Sequence, residues 1–298
     1  MVNRMDLDGT YSPIGLVTKI LKAEPNLKVP VPIEELAYQL DISEIQTLKT
    51  KGFEGGLITD ENRTYGAILV KKNVNPLRRR YTIGHELGHF LIIHHKPISG
   101  TEFLCDREAM KEQNLKAQKR AQKMEAEANR FASLLLMPPP YLNPIINGKS
   151  YANLKTVLEI HGHFEVSKEA AAWAYAEYNP EMVAVLIVKD GRYLRHYCKK
   201  GFPWITIKRG DKVPDISLVH KQRQIGSLSN SDPTGAEHWI ETNYGEPVPI
   251  MYEQVLFQSN GYAMIQLKVL QNEDWDYDPD ENLTSKQRYQ KRQERWQR

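Results

Sequence analysis

The segment His85-Glu86-Leu87-Gly88-His89 sets two histidines four residues apart and places a glutamate directly after the first one. Residues four apart project from one face of a helix, so both imidazoles can bind a single divalent cation. Glu86 would lie beside that cation without binding it, which is where a general base for an attacking water belongs. The spacing therefore predicts a hydrolytic metal site with His85 and His89 as ligands and Glu86 as the base.

The same helix also offers a face that can be buried. Ile83, Leu87 and Leu91 recur at four-residue spacing, about half a turn away from the histidines, as a core-facing stripe would. A packed helix with two partly exposed histidines is the plain structural interpretation of this segment, because a short motif also arises by chance. A third ligand on another element would favour the metal site over that interpretation.

A second amphipathic helix, predicted over about 107–137, offers such a ligand. Glu125 stands beside its apolar face and could complete a His-His-Glu set, which leaves one position open for water as in catalytic zinc sites. Asn129, one turn later, could hydrogen-bond a liganding histidine and fix its tautomer. Glu127 is the competing ligand, because two helical steps turn it about 200° away from Glu125 and only one of them can face the metal.

Composition and charge are those of an ordinary globular protein. The chain has 298 residues, 41% of them hydrophobic, and a net charge of only +3, which gives no argument for nucleic-acid binding. Its two cysteines, Cys105 and Cys198, cannot form a disulfide framework. No apolar run approaches the roughly 20 residues that span a bilayer, and the N-terminus lacks the apolar core of a signal peptide. We therefore expect a cytoplasmic protein without membrane contact.

Local signals predict the elements that must position the site. They are helices that begin at Ser12-Pro13 and Pro32, a hairpin formed by 56–59 and 65–70, the motif helix over 79–94, and the helix that ends before Pro138-Pro139-Pro140. We place a domain boundary at these prolines, so that the first domain covers residues 1–140. A helical segment is expected over 141–180, with two short helices around Gly162-His163.

The second of these short helices, capped by Ser167, could belong to a helix-turn-helix or to a plain helical hairpin. It is rich in alanine, and Lys168 is offset by Glu169 and Glu177, which argues for protein packing and against direct nucleic-acid binding.

The pattern changes to strands after residue 180. Asp190-Gly191 and Asn260-Gly261 are strong signals for two hairpins, and 204–208 is predicted to be another strand. We expect a β-rich module over 181–272, followed by a charged C-terminal tail over 273–298. The predicted fold class of the whole chain is α+β.

The two motif segments together resemble the ImmA/IrrE family of metallopeptidases. The resemblance covers about residues 25–140 and rests on Arg79-Arg80-Tyr81-Thr82-Ile83-Gly84-His85-Glu86-Leu87-Gly88-His89-Phe90 and on Glu125-x-Glu127-Ala128-Asn129-x-Phe131-Ala132-x-x-Leu135-Leu136-Met137-Pro138. It implies a zincin-like, more narrowly gluzincin-like, fold in which the motif helix packs on a small sheet and a second helix brings a glutamate. It also favours Glu125 over Glu127 as the third ligand.

The same resemblance implies a zinc-dependent endopeptidase, with manganese as the other candidate metal. Its protein substrate would be a DNA-binding repressor of helix-turn-helix type, in a stress response or in mobile-element regulation. The element order after residue 140 further implies a GAF/PAS-like sensor module. The alternative function is a non-catalytic module that binds and sequesters a repressor, although the retained Glu86 argues against an idle site.

Two finer expectations concern the substrate. An oxyanion donor is expected, and the candidates are His94, His95, Arg130 and Tyr175, with the two histidines expected to be solvated at a helix end. The segment 55–58 is expected to bind a peptide as an edge strand or to be a purely structural hairpin.

Overall fold

The computed structural model describes residues 1–49, 55–96, 102–104, 115–221, 224–242 and 247–270, and its fold is α+β as predicted. The helices are α1 (Pro13–Ala23), α2 (Ile33–Gln39), α3 (Pro76–Leu91), α4 (Leu115–Leu136), α5 (Pro139–Asn147), α6 (Lys155–Phe164) and α7 (Lys168–Tyr178). The strands are β1 (Ile42–Leu48), β2 (Gly55–Thr59), β3 (Gly66–Lys71), β4 (Glu102–Leu104), β5 (Met182–Lys189), β6 (Arg192–Cys198), β7 (Asp232–Thr234), β8 (Met251–Phe257) and β9 (Tyr262–Val269). Cys105 and the predicted tail over 273–298 lie outside the described residues.

A sheet with the strand order β1-β3-β2-β4 lies beneath the motif helix. β2 and β3 are antiparallel, which confirms the predicted hairpin. β1, which local signals do not predict, runs parallel to β3. β4 pairs with β2 along Gly56, Leu57 and Ile58, so β2 is an interior strand. The expectation that 55–58 binds a peptide as an edge strand is therefore wrong, because β4 already pairs with that edge.

The motif helix α3 begins at a side-chain cap. The Asn75 carboxamide oxygen accepts the Leu77 N–H at 2.8 Å, and Pro76 occupies the first helical position, where no N–H is needed. The helix ends at Leu91, so both of its ends come three residues before the predicted bounds of 79–94. The predicted apolar stripe of Ile83, Leu87 and Leu91 is buried.

The helical segment that follows α4 begins at the predicted prolines and breaks elsewhere than predicted. Gly162 and His163 lie inside α6, which ends at Phe164 and is followed by Glu165, a residue with left-handed backbone (φ 49°). The predicted break at Gly162-His163 is therefore wrong by a few residues. Ser167 caps α7 as predicted, since its hydroxyl accepts the Ala170 N–H at 3.0 Å.

The second sheet is antiparallel, with the strand order β6-β5-β9-β8-β7. Its two predicted hairpins are confirmed, and both central residues of each turn have the positive φ that such turns require: Asp190 and Gly191 in one, Asn260 and Gly261 in the other. The predicted strand over 204–208 is wrong, because only Ile205 forms a bridge, with Ile240. Ile205 instead packs into the core on one sheet face.

Both faces of the second sheet are covered. Alternate residues of β5 belong to two separate cores, Val183 and Val185 to one and Ala184 and Leu186 to the other. The first of these cores also contains residues of α1 to α7, so it runs without a break from the metal-motif helix to the second sheet. Among the described residues, no helix is both long and apolar enough to cross a bilayer.

Candidate metal centre

Small residues let α3 and α4 approach each other closely. A methyl group added to Gly88 would lie 3.3 Å from the Ala128 Cα, and one added to Gly84 would lie 3.4 Å from the Ala132 Cβ. The glycine pair on α3 and the alanine pair on α4 are each spaced by one helical turn, so the two surfaces fit against each other. This contact places the preceding turn of α4, which carries Glu125, over the metal-motif histidines.

The three predicted ligands converge. His89 Nε2 lies 3.1 Å from His85 Nε2. One Glu125 oxygen lies 3.3 Å from His85 Nε2, and the other lies 3.2 Å from His89 Nε2. Donor atoms that surround a zinc ion tetrahedrally at about 2.1 Å are about 3.4 Å apart, so these separations fit a zinc ion. Two imidazoles and one carboxylate are also a donor set that catalytic zinc sites use.

Burial and mutual contact shift the protonation of these three groups. Burial lowers the pKa of His85, but its hydrogen bond to Glu125 and the charges of Glu86 and Glu125 outweigh burial and raise that pKa overall. Burial lowers the pKa of His89, and the charges of His85 and Arg63 act in the same direction. Burial favours the protonated form of Glu125, yet the hydrogen bonds from both histidines lower its pKa far below the usual glutamate range. The carboxylate is therefore ionised, as a metal ligand must be.

Glu86 is buried next to the ligand set and lies against the first residue of β2. A methyl group added to Gly55 would come within 2.9 Å of Glu86 Oε1 and within 2.4 Å of Thr82 Cγ2. Glycine at position 55 therefore leaves the space that the carboxylate occupies. The charge of Glu86 raises the pKa of His85, which is expected of a carboxylate close to that ring.

Asn129 connects two residues of the motif helix at the site. Its Oδ1 accepts the Tyr81 hydroxyl at 2.5 Å, and its side chain lies close enough to His85 to help raise the pKa of that imidazole. Asn129 thus lies near a predicted ligand, and the hydrogen bond that would fix the tautomer of this histidine stays a prediction. Such a contact can fix the orientation of an imidazole before the metal binds.

A second cluster of histidines lies behind His89. Glu127 Oε2 is 2.7 Å from His94 Nε2 and 3.0 Å from His95 Nε2, and His95 Nδ1 is 3.0 Å from His89 Nδ1. His94 is exposed, but His95 is fully buried, so the expectation that both are solvated is wrong for His95. Burial lowers the pKa of His95 to about 4, and its ring is neutral at pH 7. Glu127, the alternative ligand, therefore faces a different pair of histidines from Glu125.

Arg63 holds the C-terminal end of α3 and the residues that follow it. Its buried guanidinium donates hydrogen bonds of 2.8 to 3.0 Å to the backbone carbonyls of His89, Phe90 and Ile92. It also donates to the backbone carbonyl of His95. The last carbonyls of a helix have no partner within it, and a cation there also interacts favourably with the helix dipole. Sequence analysis misses this residue, because it lies 26 to 32 positions away from its partners in a turn that no motif marks.

The four candidate oxyanion donors have other partners. The Tyr175 hydroxyl donates to Gln266 Oε1 at 2.7 Å, and the Arg130 guanidinium lies 5.2 Å from the centre of the Trp173 ring. His95 lies on the Nδ1 side of His89, opposite the ring nitrogen that faces the other ligands, and His94 contacts Glu127. These positions support none of the four as an oxyanion donor.

Comparison with known proteins identifies the segment that carries this site. The family described as the IrrE N-terminal-like domain (Peptidase_M78) matches residues 44–174. No curated protein matches the chain. A solved structure, a Mycobacterium tuberculosis transcriptional regulator, is similar with a TM-score of 0.50 and 10% sequence identity, over 84% of this chain and 73% of that one. At that identity the similarity concerns the fold alone. Residues 44–174 are thus similar to the IrrE N-terminal-like (Peptidase_M78) family, which confirms the resemblance found in the sequence.

Proposed function

We propose that this chain is a zinc-dependent endopeptidase in which His85, His89 and Glu125 hold the metal and Glu86 is the general base. The proposal rests on the convergence of three donor atoms, 3.1 to 3.3 Å apart, with Glu86 buried beside them. The match to a peptidase family supports hydrolysis of a peptide bond as the reaction. Manganese is the alternative metal, since imidazole and carboxylate ligands also bind it.

The reaction divides between the metal and Glu86. A zinc ion held by the three donors supplies a Lewis acid, which polarises a peptide carbonyl and makes water more acidic. Glu86 accepts the proton of the attacking water and carries it to the nitrogen of the leaving amine. Because Glu86 is buried, few solvent molecules compete for that proton.

The proposed substrate is a protein, and the family resemblance favours a helix-turn-helix repressor in a stress response or in mobile-element regulation. The proposed organisation is a peptidase domain over 1–140, a helical segment over 141–180 and a sensor or interaction module of GAF/PAS type over 181–272. A cytoplasmic location is part of the same proposal. The continuous core between the motif helix and the second sheet supports communication between the first and third of these parts.

The second candidate function is a regulator that binds and sequesters a repressor without cutting it. The helical segment and the second sheet would then form the recognition surface. The buried position of Glu86 beside the ligand set favours catalysis over this alternative, since binding alone requires no general base.

The experiment uses the full chain and candidate repressors, beginning with any encoded beside its gene, with and without a chelator. We expect cleavage that stops with chelator and resumes when zinc is restored. Glu86→Gln should bind zinc with wild-type stoichiometry and fail to cleave, whereas Glu125→Gln should lose zinc as well. Cleavage by Glu86→Gln at the wild-type rate would refute the assigned base. Stable repressor binding without cleavage by the zinc-loaded wild type would establish sequestration instead.

A further inference from the structure

His89 belongs to one of two neighbouring clusters that each have the composition of a metal site, and it contacts the other cluster through His95. Its Nε2 faces His85 and Glu125, and its Nδ1 faces His95, which in turn contacts Glu127. Each cluster contains two histidines and one glutamate whose possible donor atoms all lie within 4.8 Å of one another. The two clusters are therefore linked by the contact between His89 and His95, and the positions of the protons on these two rings decide which cluster can bind a metal.

When a metal occupies the first cluster, the hydrogen bonds from His89 to His95 and from His95 to Glu127 must all point in one direction. A neutral imidazole carries a single N–H, so His89 can bind a metal through Nε2 only if its proton is on Nδ1. That N–H faces His95 Nδ1 at 3.0 Å, so His95 Nδ1 must carry no proton and must accept the hydrogen bond. The proton of His95 is consequently on Nε2, where it meets Glu127 Oε2 at 3.0 Å. A carboxylate only accepts hydrogen bonds, so this series of hydrogen bonds ends consistently.

A metal in the second cluster would reverse the direction of the hydrogen bond between His95 and His89. If His95 bound it through Nε2, the His95 proton would be on Nδ1 and would donate to His89 Nδ1. The His89 proton would then occupy Nε2, the atom that faces His85 and Glu125. With neutral rings, a metal at one cluster excludes a metal at the other.

The contact geometry favours the first cluster as the metal site. There, separations of 3.1 to 3.3 Å match the edges of a zinc coordination tetrahedron, and each histidine faces its own Glu125 oxygen. In the second cluster both histidines converge on one Glu127 oxygen at 2.7 and 3.0 Å, which are ordinary hydrogen-bond distances. The His94 side chain is also 47% exposed, as is usual for an imidazole that is not part of a metal cage.

We propose that His95 and Glu127 are positioning residues that hold His89 in the tautomer and orientation that bind the metal. The inference rests on the proposed function, since it requires a metal at His85, His89 and Glu125. Arg63 supports the arrangement, because its guanidinium holds the backbone carbonyls of both His89 and His95. One side chain thus holds the backbone at both histidines.

The test measures zinc affinity of the full chain by competition with a chromogenic chelator. His95→Phe fills similar space without an acceptor for the His89 N–H, and we expect a loss of affinity of about 10- to 100-fold. His95→Asn returns an acceptor near the Nδ1 position and should recover most of that loss. Glu127→Ala should weaken zinc in the same direction as His95→Phe. His94→Ala is the matched control, because it contacts the same carboxylate and should leave affinity unchanged.

A cobalt-substituted sample gives a readout that a change in stability alone would not alter. The visible absorption bands of bound cobalt should shift in His95→Phe, return towards wild type in His95→Asn and stay unchanged in His94→Ala. If His95→Phe does not fold, the partly exposed Glu127→Ala variant decides the question by the same two measurements.

Three results would contradict the inference, and they can be told apart. Wild-type zinc affinity in both His95→Phe and Glu127→Ala would refute the positioning role and leave the proposed endopeptidase intact. Two zinc ions per wild-type chain, with one lost in His94→Ala, would establish a second metal site instead. Absence of zinc binding by the wild type would refute the proposed function itself.

Discussion

The close contact between α3 and α4 can be tested with two matched substitutions, Gly84→Ala and Gly88→Ala. Both glycines are inside the motif helix, and replacing a helical glycine by alanine stabilises a helix by about 1 kcal/mol when nothing obstructs the methyl group. At Gly84 the added methyl would lie 3.4 Å from Ala132 Cβ, an ordinary contact. We therefore expect Gly84→Ala to be as stable as wild type or up to about 1 kcal/mol more stable.

The methyl group added in Gly88→Ala would contact atoms that are less able to move aside. This methyl would lie 3.0 Å from Phe131 Cδ1 and 3.3 Å from the Ala128 Cα, and the latter can move only if α4 moves. Overfilling a packed contact of this kind costs about 1–3 kcal/mol. Because the gain in helix propensity is common to both variants, Gly88→Ala should be about 1–3 kcal/mol less stable than Gly84→Ala.

The assay is urea unfolding of the two variants at one pH without zinc, followed by chelator competition for zinc. Gly162→Ala in α6 is the baseline for helix propensity, because an added methyl there has nothing within 4 Å. Zinc affinity should fall in Gly88→Ala, since a displaced α4 also displaces Glu125. Equal unfolding free energies for Gly84→Ala and Gly88→Ala, with unchanged zinc affinity, would refute the role assigned to this contact.

Three further outcomes can be measured on the same protein. Gly55→Ala should lose most cleavage activity and retain zinc, because its methyl would come within 2.9 Å of Glu86 Oε1; unchanged turnover would contradict this. Zinc affinity should fall as pH drops through the raised pKa of His85, because zinc must displace that proton, and calorimetry in two buffers should record proton release. Burial raises the pKa of Glu253 above the ordinary value of 4.5, so its contribution to stability is present below about pH 4.5 and is lost as pH rises through the raised value. Glu253→Gln should therefore flatten the decline of the unfolding free energy with pH, and an unchanged pH profile in urea would contradict that.

Turns and helix caps that are determined by residues close together in the sequence could be predicted from the sequence. The turns at Asp190-Gly191 and Asn260-Gly261 need positive φ at adjacent positions, which few residue types adopt at low cost. The caps at Ser12 and Ser167 depend on a hydrogen bond within the first turn of their own helices. Such signals survive without knowledge of the tertiary structure.

Elements that depend on distant partners were predicted poorly. The exposed strand β1 has no clean alternation of apolar residues, and its pairing with β3 is parallel. The apolar alternation around Ile205 predicted a strand, yet that side chain is buried by packing on a sheet face. A segment that packs on a sheet face can show the same apolar alternation as a strand. The alternation alone therefore could not distinguish a paired strand from a buried irregular segment.

The candidate site divides in the same way. The spacing of His85, Glu86 and His89 follows from helix geometry, and one carboxylate per face limits the third ligand to Glu125 or Glu127. The arrangement around His95 could not be predicted, because the chain leaves the helix at Leu91 and then turns back towards α4. The glycine and alanine pairs at the helix contact share a four-residue spacing, which is the local signal that could have predicted the approach.

The guanidinium of Arg63 joins the β2–β3 turn to the end of the metal-motif helix. Separation of this turn from the helix would leave several backbone carbonyls and a cation without partners in a dry environment, which is energetically unfavourable. The two segments must therefore open together, as one cooperative unit. We therefore expect a proteolytic cut or an insertion in that turn to weaken binding of the proposed zinc ion, although the turn is remote in the sequence from the proposed ligands.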